Sequence, residues 1–309
     1  MTKYVIRRLL GIIPTLLIII TISFFIVRVA PGGPFDGERA LPEVVKRNIE
    51  AKYNLNDPLI VQYGKYMFDV VRGDLGPSFR YKDHDVNFYI FESLPNSMIL
   101  GIIAITISII FGISSGMLAA VKQNTWMDYL GMAFAIIGIS VPLFVIGPVL
   151  QYVFAMKLGW VPTSGWFTSG DSWLTIILPA LTLSAANFGT IARLTRSSML
   201  ETLRSDYIRT AKAKGMRSTT ILFKHAMKGA MLPIVSYLGP AFAGIITGSV
   251  VVEQVFRIPG LGKFFVQSSF NRDYTLIVGV VIVYSVILVF MNFFVDIIYS
   301  LLDPRITYK

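Results

Sequence analysis

The sequence predicts an all-α membrane protein of six transmembrane helices, with an external helical segment between the first and the second. Three observations carry that expectation. The 309 residues are 54% hydrophobic and only 15% charged, where a soluble domain carries about 25% charged residues. The charges are gathered so that six runs have none: 9–27, 93–121, 129–156, 172–192, 229–252 and 274–295. Each is long enough to cross a hydrocarbon layer that takes ~20 helical residues. The basic residues, finally, fall on one side of the pattern that these runs set.

Lys3, Arg7 and Arg8 precede the first run, which puts the N-terminus in the cytoplasm by the positive-inside rule. Alternation then places residues 193–228 and the C-terminus inside as well. Inner segments sum to 15 Lys/Arg against 5 Asp/Glu, and outer ones to 13 against 13, so the whole net charge of +10 lies inside. The 9–27 run is longer than the core of a secretory signal, and no small-x-small site precedes Pro31. It reads as an uncleaved first span.

The external segment, 28–92, holds two amphipathic patterns. Val45, Ile49 and Tyr53 share a helical face within 42–53. After the turn signal Asn56-Asp57-Pro58, Leu59, Tyr63, Met67 and Val70 mark a second helix that Gly73 ends. The segment serves as a cap over the spans or as a docking surface.

Within the spans, Gly112 and Gly116, and again Gly244 and Gly248, have the small-xxx-small spacing that lets helices approach closely. Pro142 and Pro148 in the third run and Gly239-Pro240 in the fifth predict kinks. None of the six runs contains Asp, Glu, Lys, Arg or His. A carrier driven by protons shows an intramembrane carboxylate or histidine, and this chain has none. Gln151, Asn187 and Asn292 are the strongest polar residues in the runs and the candidates to line a path.

Several chemistries are excluded. There is no cysteine, and His84 and His225 lie in separate segments, which leaves no metal cluster. The stretch from Arg257 to Phe264 lacks the first glycine and the hydroxyl of a phosphate loop, so no nucleotide cofactor binds this chain that way. Protease and lipase signatures are absent too, and the chain is expected not to be an enzyme. Nucleic acid would want aromatics among the basic residues.

The basic residues concentrate at 193–228, with nine Lys/Arg against Glu201 and Asp206. Asp206-Tyr-Ile-Arg-Thr-Ala-Lys-Ala-Lys-Gly215 is a helical pattern stopped by glycine, and an apolar-basic run at 221–232 ends at Pro233. Two short helices around a glycine turn would form a knob on the membrane surface. One reading sets Arg193, Arg196 and Lys228 against anionic headgroups. Another is protein docking. Tyr207, Ile208 and Ala211 would then fill a groove while Arg209, Lys212 and Lys214 pair at its rim. Asp206, Thr210 and Ala213 complete the helix, and Gly215 turns the chain back.

The 206–215 stretch, with Ile221, His225, Ala230 and Leu232-Pro233 after it, resembles the cytoplasmic coupling loop of ABC importer permeases. Similarity to the peptide-importer branch extends over nearly the whole chain. It includes Arg7-Arg8-Leu-Leu, Gly73-Asp-Leu-Gly-Pro-Ser78, Lys122-Gln-Asn-Thr125, Val252-Glu253, Asn271-Arg-Asp-Tyr274 and Leu302-Asp-Pro-Arg305. One departure stands out. Where importers in general have Glu-Ala-Ala, this loop reads Arg209-Thr210-Ala211, as in the peptide branch.

The resemblance implies the type I importer permease fold in a bacterial inner membrane. Residues 1–92 would form a first span and external segment, 93–296 the transport domain, and 297–309 a cytoplasmic tail. It further implies a homologous second permease, two ATPase subunits that hold ATP and magnesium, and an external peptide-binding protein. The cargo would be oligopeptides. The same motifs serve carriers of dipeptides, nickel complexes or glutathione, and a self-sufficient ion-coupled carrier or channel is the reading from another class.

Overall fold

The structure is a computed structural model that describes residues 2–29, 55–81, 83–248 and 250–302. The expected amphipathic stretch 42–53 lies outside the described residues. Among those described, the chain is helical apart from loops and one isolated bridge between Pro77 and Asp85. In order the helices are α1 (Thr2–Val29), α2 (Leu59–Val71), α3 (Val86–Val121), α4 (Trp126–Ser140), α5 (Leu143–Leu150) and α6 (Ile177–Leu203). They continue as α7 (Asp206–Ala213), α8 (Met227–Gly248), α9 (Val250–Phe256), α10 (Gly262–Asn271) and α11 (Tyr274–Leu302).

Four segments are long and apolar enough to cross a membrane: Arg8–Val29, Val86–Val121, Trp173–Leu203 and Tyr274–Ile298. Two bent pairs bring the number to as many as six. The first pair corrects an expectation. The 129–156 run is not one kinked helix: α4 and Leu143–Lys157 are bent by 113°. The break falls at Pro142, where proline has no N–H to give and disfavours helical geometry at its predecessor. Val141 accordingly sits at φ −87°, ψ 124°. At Pro148 the helix simply runs on, then widens into a π-helical turn over Gln151–Lys157. In the other pair, α8 passes unbroken through Pro233 and Pro240. The bend, 52°, comes later, before α9, and not at Gly239-Pro240.

The chain forms two compact units. The first comprises 1–96 and 260–287, so that α10 and the start of α11 group with the N-terminal part. Here α1 and α2 are joined by aromatic packing. Phe24, fully buried, meets Tyr63 at 5.4 Å and Tyr66 at 5.5 Å between ring centres. Thr21 Oγ1 and the Tyr63 hydroxyl are hydrogen bonded at 2.7 Å. Gln62 accepts from Arg28 Nε at 3.1 Å and donates to the carbonyls of Leu55 and Asp57. Burial pushes the Tyr66 hydroxyl well above the usual phenol range, while the nearby Arg28 charge works against the rise. Most of the α1 surface stays uncovered, with Leu10 and Ile13 more than half exposed.

Asp273 organises the other side of this unit. It is fully buried and lies just before α11, where a carboxylate caps the helix N-terminus. It accepts from Leu276 N–H at 3.2 Å and Thr275 Oγ1 at 3.1 Å. From the 77–81 loop it also accepts Ser78 Oγ at 2.5 Å, Phe79 N–H at 3.1 Å and Arg80 N–H at 3.3 Å. The Thr275 hydroxyl shares its one proton with the Pro77 carbonyl at 2.6 Å, and the other four donors keep both carboxylate oxygens partnered.

The second unit comprises 97–259 and 288–309, and its close contacts run through glycines. A Cβ on Gly116 would stand 2.4 Å from the Ala192 carbonyl oxygen, and one on Gly112 2.9 Å from Ile191. Helices α3 and α6 therefore approach as the small-xxx-small spacing predicts. Helices α4 and α6 do the same at Gly138 against Ala185 and at Gly189 against Ala135. Gly244 behaves differently: a Cβ there meets nothing within 4 Å. The same spacing thus marks a helix contact in one span and an open face at Gly244 in another.

Candidate functional site

The 206–215 stretch folds as read: α7 ends at Ala213 and the chain turns back at Gly215, whose φ of 72° is a left-handed conformation that glycine takes without strain. Lys214 N–H bonds the Thr210 carbonyl and Gly215 N–H that of Lys212, each at 3.0 Å, while Met216 N–H reaches Ala211 at 3.3 Å. These bonds satisfy carbonyls that a helix end would leave open. Asp206 in the first turn and Lys212 in the last complement the helix dipole.

The orientation of α7 corrects the docking picture. Ile208 is fully buried and Ala211 nearly so. Three residues apart, they share one face, and that face packs inward on Ala120, Met199, Ile221, Ala226 and Ala230. They fill a groove in their own chain, not a partner's. The outward face carries Tyr207, Arg209, Thr210, Lys212, Ala213 and Lys214, all exposed. Tyr207 leans its hydroxyl toward Gly229, at 2.9 Å from where a Cβ would be. Arg209 meets Asp206 at 3.3 Å in full solvent, a pair of the kind that contributes little.

The flanks differ from expectation too. Helix α6 carries Arg193 and Arg196 and runs on to Leu203. The 221–232 run is no separate short helix: a π-helical turn at Ile221–Ala226 leads straight into α8, through Pro233. The knob is therefore one short helix strapped between the ends of two long ones.

Beneath it lies a brace that the charge count concealed. Asp128, buried at the start of α4, accepts from Arg196 Nε at 2.6 Å and Nη2 at 2.7 Å. Asn124, at φ 62°, adds its N–H to the same carboxylate at 3.0 Å. The bidentate pair fixes α4 to α6 in both distance and angle. The signal in the sequence was the Lys122-Gln-Asn-Thr125 turn, which aims Asn124 at Asp128. Nothing local pointed to Arg196, 68 positions away.

The three candidate path residues are not brought together. Gln151 Nε2 donates to the carbonyls of Thr163 at 2.7 Å and Val255 at 3.3 Å, and so ties the loop at 163 and the end of α9 to its own turn. Asn292 lies against the backbone of α8, its Oδ1 2.6 Å from where a Cβ of Gly239 would be. Asn187 alone of the three lines the cavity of about 350 Å3 between α6 and α8. A larger cavity, about 1040 Å3, opens among α3, α4, α5 and α6, and its wall is apolar but for Ser114 and Ser115. Among the described residues no three His, Cys, Asp or Glu are grouped to hold a metal.

An exposed basic helix strapped across span ends, above a bundle of kinked and glycine-packed spans, matches a known class. Residues 109–308 match the family described as the binding-protein-dependent transport system inner membrane component, and residues 1–101 match its N-terminal counterpart. The chain belongs to this family of multi-pass inner membrane components.

More particularly, it is 50% identical over 308 residues, 100% of both chains, to the oligopeptide transport system permease protein OppB of Salmonella typhimurium. Identity to the protein of that name in Escherichia coli is 48%, again over 100% of both chains. The dipeptide transport system permease protein DppB of Bacillus subtilis is 44% identical, over 99% of this chain and 98% of that one. Among solved structures, the MetNI methionine ABC transporter in inward facing conformations aligns with a TM-score of 0.56. That alignment covers 70% of this chain and 97% of the other at 15% identity, a likeness of fold alone.

Proposed function

We infer that this chain is one permease subunit of an ATP-driven oligopeptide importer. A homologous second permease would complete the path, two ATPases would bind ATP and magnesium below, and an external binding protein would deliver the peptide. The carrying observation is the full-length identity of 50% to an oligopeptide permease, and the knob supplies the mechanics. Because Ile208 and Ala211 are anchored in the chain's own core, α7 moves with the ends of α6 and α8. A push on its outer face reaches the spans as a rigid displacement instead of being absorbed. The partner's groove is acidic at its rim, to receive Arg209, Lys212 and Lys214. The two termini face the cytoplasm, in keeping with the inner excess of Lys/Arg.

The test is reconstitution in vesicles. The complete assembly, given ATP and loaded binding protein, takes up oligopeptide in preference to dipeptide or glutathione. This chain alone, under a proton or sodium gradient, takes up none. Accumulation by the lone chain overturns the reading, and a preference for glutathione or dipeptides moves the assignment to those cargoes.

A further inference from the structure

The cavity between α6 and α8 has a chemical character that the rest of the bundle lacks. Its wall is apolar, with Leu143 and Leu183, apart from one pair: the Tyr237 hydroxyl donates to Asn187 Oδ1 at 2.7 Å. Among the described residues this is the one hydrogen bond of the Asn187 side chain. Both hydrogens on its Nδ2 remain to be given, and the phenol oxygen of Tyr237 keeps a lone pair. The α8 side of the wall is open as well. Pro240 lines it and brings no N–H of its own. Gly244 faces empty space.

A donor from an amide beside an acceptor from a hydroxyl is the complement of a peptide group, which offers one C=O and one N–H. We propose that this cavity is a subsite for the main-chain amide of the cargo. Asn187 Nδ2 donates to a peptide carbonyl and the Tyr237 oxygen accepts a peptide N–H. The inference rests on the importer reading above and assigns a recognition role to Tyr237, which was not among the path candidates read from the sequence. The cavity volume of about 350 Å3 lies near the lower end of ligand pockets, ~300–1,000 Å3. It takes one peptide unit and its neighbours, not a whole oligopeptide. No charged group lines it, so neither terminus of the cargo is held and the peptide can move on. A subsite that reads only the main chain treats all side-chain sequences alike.

Two experiments on the assembled importer in vesicles, with loaded binding protein, test this. The chain has no cysteine, so Gly244→Cys introduces a unique thiol at the cavity wall. Tetra-alanine carrying an activated disulfide should couple to Gly244→Cys during ATP turnover, and not to Leu130→Cys in the larger cavity. In the second, Asn187→Leu combined with Tyr237→Phe should slow tetra-alanine uptake about tenfold, the worth of one to two hydrogen bonds. Preference for tetra-alanine over its N-methylated analogue, both at equal occupancy on the binding protein, should vanish. If the double variant does not assemble, Tyr237→Phe alone carries the same comparison. Coupling at Leu130→Cys instead, or an unchanged preference in the variants, overturns the subsite while the importer reading stands. No uptake by the unaltered assembly overturns the importer reading itself.

Discussion

Truncating Ile208 to alanine separates the inner from the outer face of the knob. The side chain is fully buried against Met199, Ile221 and Ala226. Removing three carbons forfeits about 2.4 kcal/mol at ~0.8 kcal/mol for each. The cavity left behind brings the total to ~3–4 kcal/mol, within the range of ~2–5 for such truncations. Helix α7 has 8 residues, too few to be stable by themselves in water. The loss therefore falls on the docking of α7 and not on the bundle as a whole. Opening of α7 should become ~100-fold or more easier, since ~1.4 kcal/mol is a factor of ten in an opening equilibrium. Hydrogen exchange by mass spectrometry on the assembled complex reads this directly. In Ile208→Ala the amides of 206–213 exchange faster while those of α6 do not, and transport per ATP falls. The outer-face variant Lys212→Glu leaves exchange within α7 unchanged in the chain purified alone, but weakens the hold on the ATPases. Wild-type exchange rates in Ile208→Ala would refute the reasoning.

Three further outcomes follow from the geometry. Gly138→Ala drives a methyl group to 2.4 Å from the Ala185 carbonyl oxygen and should destabilise the bundle by ~1–3 kcal/mol as overpacking. Gly244→Ala, with nothing within 4 Å, should instead raise thermal stability by up to ~1 kcal/mol through helix propensity; equal melting temperatures would contradict this. Asp273→Ala leaves Ser78 Oγ and the Phe79 and Leu276 N–H groups without their acceptor, while Thr275 Oγ1 keeps the Pro77 carbonyl and Arg80 N–H keeps Ser78 Oγ. It should cost ~2–4 kcal/mol, combining a lost cap with buried groups left unpaired, and limited proteolysis should cut at 77–81. Resistance equal to wild type would show that the loop is held by other means.

The six apolar runs were legible because a bilayer dictates both their length and their lack of charge. The end of α7 was legible because Gly215 answers a local demand on φ. What failed to show in the sequence depended on partners far along the chain. Proline at 142 announces a break but not its 113°, which the packing of α4 and α5 on their neighbours sets. Gly112 and Gly244 stand in identical motifs, yet only the first has a helix across from it. Ile208 and Ala211 form an apolar face in any reading, and periodicity does not tell whether their own chain or another covers it. Asn187 was picked for its polarity, whereas Tyr237 stood out only within the stretch Tyr237-Leu-Gly-Pro-Ala-Phe242 and not as a path residue. Asp273 shows no local sign that it binds a loop 195 positions earlier.

That last tie has an implication for building hybrids of this family. Exchanging the first hundred residues between two relatives, as though they were a detachable module, would set a foreign 77–81 loop on a native Asp273. Such a chimera should mature only when both parents have a hydroxyl at position 78 and a carboxylate at 273, or when the 260–287 segment is transplanted along with the N-terminal piece.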